Sequence, residues 1–305
     1  MMNFHKLSSR LRFLMSENAN ADFENLLPTG DYAGLLIFIR GTNNNGQTLT
    51  HADLPEFGIN IGGRSAQRGT GTVYNKLMNY YFGSVESTSV ANGAIGLCVF
   101  IPFFHPSMPS ALHVNPGDKV SLKYQTPSNY ATKVSSATVR VYGIRSDDVE
   151  KYELRFLPGN IDASGATTKV ERLAQKNIKE ILLNSSVVSR AVVRREGVVK
   201  TDANYADLLG ATALFANVET ASQADWVHIS AGENPDDFVS DDTEIELDFS
   251  GSGTANIQVL SIGFDNERYQ QTNSQKAAQV QKRLERVAPP DALPVLVEET
   301  RKTAV

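Results

Sequence analysis

Residues 244–249 read Glu-Ile-Glu-Leu-Asp-Phe and are followed by Ser250-Gly-Ser-Gly253 and a second extended run that starts at Ala255 and reaches Ile262-Gly-Phe-Asp265. Ile245, Leu247 and Phe249 fall on one side of an extended chain, with Glu244, Glu246 and Asp248 on the other. This period of two marks a strand with one face on a core and one in water. Upstream of this unit stand a strand at Trp226–Ile229 and a short helix near Ala203, where Tyr205, Leu208 and Leu209 share a face after a candidate Asp202 cap. The same order occurs earlier in the chain: a helix near Thr72, an apolar strand near Ile95, a strand at Val120–Tyr124, and a strand from Ala137 that reaches Ile144-Arg-Ser-Asp147. The offsets between the two series are 131, 131, 125 and 118 residues. A repeated element order at a nearly constant offset predicts two similar β domains in tandem.

Other segments fit this plan. Leu35–Ile39 and Leu97–Phe104 are apolar on both faces, so each needs cover on two sides, as in stacked sheets or a barrel packed on a neighbour. Val73, Leu77, Tyr80 and Tyr81 share one face of the helix near Thr72, which Gly83 can terminate. Thr168 and Glu171 have capping-box spacing ahead of Val170, Leu173, Ala174, Ile178, Ile181 and Leu182, which predicts a bridging helix between the two domains, with the join at 146–167. Two antiparallel sheets in about 120 residues suit a jelly roll. The competing immunoglobulin-like sandwich has a Cys and Trp framework that this chain lacks. The expected fold is therefore all-β: two eight-stranded jelly rolls with short inserted helices and helical termini. The expected boundaries are a basic arm or helix at 1–23, a first roll at 24–150, a linker with the bridging helix at 151–186, a second roll at 187–266, and a helix with an extended tail at 267–305.

The composition is that of a globular chain: 305 residues, 41% hydrophobic and 21% charged, with a net charge of −5 that argues against a general nucleic-acid coat. The longest apolar run, Ala94–Phe104, is about half of what a membrane-spanning helix needs. No apolar block with a small-residue cleavage site follows the first basic residues, so synthesis and folding in a cytoplasm are expected. Charge is uneven. Residues 1–16 carry +3 from Lys6, Arg10 and Arg12, and 268–287 carry +4 from Arg268, Lys276, Lys282, Arg283 and Arg286 against Glu285, which leaves −11 for 17–267. An acidic body with basic ends suits ends that meet an anionic surface, either lipid headgroups or packaged nucleic acid; solvated termini carry the same composition. Phe4, Leu7, Leu11 and Leu14 form an apolar stripe beside those bases, and Ala277, Val280, Leu284 and Val287 form a thinner one. Such segments lie on a membrane or pack across a neighbouring subunit.

Leu27-Pro-Thr-Gly30 ahead of an apolar strand, the Asn43–Gly46 turn, Gly58-Ile-Asn-Ile-Gly-Gly63 and the two sandwich-sized repeats together resemble the double jelly-roll major capsid proteins of tailless, icosahedral bacteriophages with an internal membrane, the corticoviruses and finnlakevirus-type phages. The resemblance covers residues 24–265; the tail after Phe264 departs from it. It implies a structural subunit that forms pseudo-hexagonal homotrimers, tiles a virion shell around a membrane, and meets its own copies, minor capsid and penton proteins, and anionic lipid, with no sequence-specific nucleic acid. A phage spike or a lectin-like binding sandwich is the alternative.

No catalytic constellation stands out, and no enzymatic activity is expected. Gly69-Thr-Gly71 and Gly251-Ser-Gly253 are too short for phosphate loops and read as turns. His105 and His113 are separated by a proline-rich stretch that does not fix them as a pair, and Cys98 reads as a small buried hydrophobe. Glu233, Asp236, Asp237, Asp241 and Asp242 form the densest acidic loop, a weak calcium candidate without EF-hand spacing; a solvated loop is the simpler reading, and no cofactor is expected. Trp226 and His228 share the face opposite Val227 and Ile229, which places them either at a contact between the two barrels or on a half-exposed surface.

Overall fold

The computed structural model describes residues 3–6, 22–44, 46–82, 88–89, 91, 93–104, 111–145, 153–175, 178–215, 226–230 and 242–263. The first half of the chain runs β1 (Asn3–Lys6), β2 (Asp22–Leu26), β3 (Gly30–Asn43), β4 (Glu56–Ile61), β5 (Arg64–Gly69), α1 (Gly71–Phe82), β6 (Thr88–Ser89), β7 (Ala94–Pro102), β8 (Leu112–Val114), β9 (Val120–Gln125), α2 (Tyr130–Lys133) and β10 (Val134–Arg145). Its strands form two facing sheets, β1-β10-β3-β7-β6, with β8 also on β3, and β5-β4-β9-β2. The antiparallel ladder of β3 with β10 places Ile37 beside Val141 and Ile39 beside Val139. These side chains point inward to meet Phe57, Leu122 and Tyr124 of the other sheet in one core.

The second half runs β11 (Glu153–Asp162), β12 (Thr168–Arg172), β13 (Ile178–Asn184), β14 (Val188–Arg195), β15 (Val198–Asn204), α3 (Tyr205–Phe215), β16 (Val227–Ser230), β17 (Thr243–Phe249) and β18 (Thr254–Gly263). Its sheets are β11-β18-β13-β16 and β15-β14-β17-β12. These orders match β1-β10-β3-β7 and β5-β4-β9-β2 strand for strand, and in each half the helix follows the same strand, α1 after β5 and α3 after β15. The pairs anticipated from the sequence offsets, at α1 and α3, β7 and β16, β9 and β17, and β10 and β18, are topological equivalents. Each half is a jelly roll in which the strands that open and close the barrel lie side by side.

Local chemistry explains several joints. The hairpins β4–β5 and β14–β15 are each closed by two residues with positive φ, Gly62 (58°) with Gly63 (82°) and Glu196 (51°) with Gly197 (74°). Such mirror-type turns match the right-handed twist of the strands they connect. Thr70 caps α1, its hydroxyl oxygen accepting from the Val73 amide at 3.3 Å. Gly41 sits where β3 and β10 approach so closely that a Cβ would lie 1.9 Å from the Ser136 carbonyl oxygen. The Asn43–Gly46 turn is held by side-chain amides: Asn43 Oδ1 accepts from the Leu49 amide at 3.0 Å and Asn44 Nδ2 donates to the Ala131 carbonyl at 2.8 Å.

Four expectations need correction. The bridging helix at 168–182 does not form: Thr168–Arg172 is β12, paired with β17, and Ile178–Asn184 is β13, held between β16 and β18. A strand buried on both faces carries apolar residues without alternation, and in Ile-Lys-Glu-Ile-Leu-Leu that run imitates a helical stripe. Residues 151–186 are therefore no linker, since β11, β12 and β13 all belong to the second roll. At the other end, Asn3–Lys6 is a strand on the edge of β10 rather than a helix, so the first roll begins before residue 24. Asp202 lies within β15 and does not cap α3; its carboxylate binds Arg190. The predicted C-terminal helix and tail at 267–305 lie outside the described residues.

Candidate functional site

The joint between the two rolls is the candidate interaction site, since it is where one β unit of the chain is bound by another. Edge strand β11 of the second roll lies parallel to edge strand β5 of the first, with Phe156 opposite Gln67. The link joins β16-β13-β18-β11 and β5-β4-β9-β2 into one eight-stranded sheet. Gln67 is 1% exposed, and its Nε2 donates to the Pro102 carbonyl at 2.8 Å and the Leu154 carbonyl at 3.2 Å. Gln258 Nε2 on β18 donates in turn to the Arg68 carbonyl. Around these polar stitches the second roll inserts apolar side chains into the first: Leu154, Phe156, Leu182 and Leu260 belong to the first roll's core, and the Phe156 ring sits 5.5 Å from that of Tyr74 on α1. On the other face of the same strands, Ile181, Leu183, Ile257 and Val259 fill the second roll's own core.

This geometry decides between the two readings of Trp226 and His228. Trp226 packs against the first roll's core, and His228 pairs across β13 with Leu182 on the same face, so both stand at the barrel-to-barrel contact. His228 Nε2 lies 2.9 Å from Glu180 Oε2, and the two side chains are 4% and 6% exposed. Both side chains belong to the second roll, and their mutual contact offsets the cost of taking polar atoms out of water there.

The faces turned away from the cores are lined by mutually satisfied ions. On β14, β15 and β17, Arg190 Nε meets Asp202 Oδ1 at 2.7 Å while its Nη1 meets Asp248 Oδ2 at 3.1 Å, and Arg194 Nη1 meets Glu246 Oε2 at 2.6 Å. The hydrogen bond from Arg190 holds the Asp202 carboxyl below its usual range; for Asp248 the Thr168 hydroxyl contributes most and Arg190 next. In the first roll the Ser121 hydroxyl and the Asn60 amide lower Glu24, and Lys133 Nζ holds Asp53 at 2.7 Å, its hydrogen bonds outweighing the burial that alone would raise that acid. His51 is buried, its Nε2 2.9 Å from the Cys98 carbonyl oxygen, and desolvation pushes its pKa below 6.5. These contacts brace strands and loops.

Of the residues singled out in the sequence, Lys6 lies in edge strand β1, whereas Arg10, Arg12, Lys276, Lys282, Arg283 and Arg286 lie outside the described residues. So do Glu233, Asp236, Asp237 and Asp241 of the calcium candidate. Asp242 is described, and its carboxylate is engaged by Arg172 Nε at 2.6 Å. Among the described residues, no three His, Cys, Asp or Glu side chains are grouped as a metal would need, and no helix is long and apolar enough to cross a membrane. Cys98 is half-buried rather than in the core, with its thiol pushed up to about 11 by burial. His113, which had no assigned partner, binds Asp31 through Nδ1 at 2.5 Å. Sequence reasoning missed Gln67 and Gln258, because a glutamine amid strand residues carries no signal that two sheets will meet there.

No protein-family model matches the chain, and neither does any curated protein. Solved structures do. The chain is similar to the STIV MCP, with a TM-score of 0.64 at 14% identity over 89% of this chain and 98% of that one. It is similar also to the major capsid protein P2 from bacteriophage PM2, with a TM-score of 0.60 at 14% identity over 87% and 98%. A third likeness is to the PBCV-1 virus capsid, with 0.55 at 12% identity over 86% and 92%. At such identities the likeness is one of fold, and it spans nearly the whole of each partner chain. Two rolls that share one order of eight strands, joined edge to edge, together with these neighbours place this chain in the double jelly-roll fold that the PM2 major capsid protein also has.

Proposed function

We propose that this chain is a major capsid subunit whose homotrimers, pseudo-hexagonal in outline, tile an icosahedral virion shell around an internal membrane. The observation that carries the reading is the common order of eight strands in the two rolls. A chain with two equivalent blocks gives six in a trimer, so one gene product fills a lattice through repeated lateral contacts. The whole-length likeness to viral coat proteins supports the same reading. The partners are then other copies of the chain, minor capsid and penton proteins, and lipid; the place of action is the virion, after synthesis in a bacterial cytoplasm.

The basic ends take the membrane-facing role in this proposal: Lys6, Arg10 and Arg12 at one end and Lys276, Lys282, Arg283 and Arg286 at the other. Each base near an anionic leaflet contributes on the order of 1 kcal/mol before screening, and many subunits multiply it into avidity. Negative-stain electron microscopy of the purified full chain tests the shell role: six-lobed particles are expected, and a uniform field of single two-lobed particles overturns it. Flotation with anionic liposomes at low salt tests the ends separately. Neutralising Lys6, Arg10 and Arg12 is expected to weaken binding without altering the circular dichroism, and unchanged binding removes the membrane role from that end.

A further inference from the structure

We infer that residues 47–54 form an acid-opened clasp on the first roll: the turn His51–Asp53 carries two locks of opposite kind, an uncharged imidazole and a charged carboxylate, and protonation undoes both. The inference stands on the first roll alone and not on the capsid reading. Between β3 and β4 the chain passes through a single 3-10 turn, His51–Asp53, with Leu49 before it and Leu54 after it fully buried in the first roll's core. The turn lies hard against the start of α1. The Gly71 amide donates to the Leu54 carbonyl at 2.9 Å, and a Cβ on Gly71 would lie 2.7 Å from the His51 carbonyl oxygen. Upstream, the Leu49 amide donates to Asn43 Oδ1 at 3.0 Å.

The first lock needs a neutral ring. His51 is 8% exposed, and the one hydrogen bond of its ring among the described residues runs from Nε2 to the Cys98 carbonyl oxygen at 2.9 Å, on β7 past the two residues that β6 pairs with. A neutral imidazole fills that role with its Nε2–H, whereas a second proton, on Nδ1, makes a buried cation. The titratable and charged groups on the neighbouring elements are Tyr74 and Lys76 on α1, Cys98 on β7, Arg40 on β3 and Glu56 at the start of β4, and none of them is hydrogen-bonded to the ring. The second lock needs a charge. Asp53 Oδ1 accepts from Lys133 Nζ at 2.7 Å and Asn129 Nδ2 at 3.0 Å, and Oδ2 accepts from Lys133 Nζ at 2.8 Å, the Thr50 amide at 2.9 Å and the Thr50 hydroxyl at 3.0 Å. Tyr130 is the other titratable group of α2. A protonated Asp53 loses the ion pair and turns one acceptor into a donor.

Both groups resist protonation while the segment is closed, and acid therefore favours the open form. Burial, opposed by the Cys98 carbonyl, holds His51 below 6.5. From 6.5 down to that closed value the open segment takes up a proton that the closed one refuses, so closure present above 6.5 weakens as pH falls. For Asp53, burial acts upward but the hydrogen bonds from Lys133, Asn129 and Thr50 outweigh it and keep the acid below 3.8. Its share of closure, present above 3.8, is lost only as pH falls below that value. Opening is thus staged: mild acid releases the His51 side while Lys133 still tethers Asp53. Release bares Leu49 and Leu54, and the β3–β10 ladder keeps its own hydrogen bonds.

The test is hydrogen exchange of the full chain by mass spectrometry from about pH 7.5 to about 4.5, each rate divided by the intrinsic rate at that pH. Protection of residues 47–54 is expected to fall below 6.5 by up to about tenfold per pH unit, while peptides from β10, β13 and β18 keep theirs. In His51→Gln the amide still donates to the Cys98 carbonyl and takes up no proton, so protection is expected to stay level. Asp53→Asn carries the test if His51→Gln fails to fold. It removes the Lys133 ion pair, and because protonation and opening are linked, the His51 ring followed by NMR is expected to titrate closer to 6.5 than in the wild type. Level protection in the wild type, an undiminished decline in His51→Gln, or an unmoved His51 titration in Asp53→Asn each overturns the clasp.

Discussion

The two rolls share one strand plan yet bury their surfaces differently. The first receives Leu154, Phe156, Leu182 and Leu260 from the second into its core, while the second closes its core with its own residues. Strand β3 keeps an alternating pattern with Arg40 exposed, whereas its equivalent β13 has lost alternation because both of its faces are covered. The difference shows that a strand's sequence reports what lies on its two faces more directly than which fold it belongs to.

The largest expected effect comes from the side chain that crosses between the rolls. Phe156→Ala empties a fully buried site against Tyr74 and is expected to cost about 3–5 kcal/mol, seen as a lower denaturation midpoint. If urea unfolding of this variant leaves protection of the first roll's amides untouched, the two cores are independent and the comparison breaks. Next comes a change confined to one roll. Gly41→Ala forces a methyl into the Ser136 carbonyl and is expected to cost about 1–3 kcal/mol. Hydrogen exchange should then rise along β3 and β10 while β13 and β18 keep their protection.

Acid separates the rolls by a different route. Burial holds His51 below its ordinary 6.5. In the window from 6.5 down to that lower folded value the unfolded chain binds more protons than the folded one, so stability present above 6.5 falls as pH falls. In the second roll, Asp202 and Asp248 are lowered from 3.8, and their contribution, present above 3.8, is lost only as pH falls below it. Thermal unfolding followed from neutral pH to about 5 should show a declining midpoint that His51→Gln flattens; an unchanged slope in that variant assigns the decline elsewhere. The smallest effect is expected from Arg190→Ala. Its partners on β15 and β17 are partly solvent-exposed, so the drop in melting temperature should be slight at low salt and vanish at high salt. A large, salt-insensitive drop shows that the outer sheet of the second roll is stiffened by this network more than packing alone suggests.

Much of the fold was legible in residue order. Ile245, Leu247 and Phe249 announce β17, Val120, Leu122 and Tyr124 announce β9, and helices α1 and α3 begin close to where their apolar faces start. The segment at 168–184 misled because its cover comes from β16, β17, β18 and the first roll, all distant in sequence. Of the candidate site, the Trp226–His228 face was legible only as one of two things, a contact or a half-exposed surface, because two large side chains stood opposite a core pair and nothing local said what they would meet. Gln67 and Gln258 were not, since an amide becomes a stitch only when a foreign carbonyl is brought within 3 Å or so.

By itself the amino-acid order determined that there would be two all-β units of the same plan, because period-two alternation and glycine turns are local properties that need no partner to be read. It also determined that the acidic body would carry basic ends. Only tertiary structure decided that β11 would run beside β5 and that one roll would complete the core of the other. Those outcomes depend on surfaces that meet after each sheet has formed, and burial of apolar area between distant segments leaves no periodic trace in either one.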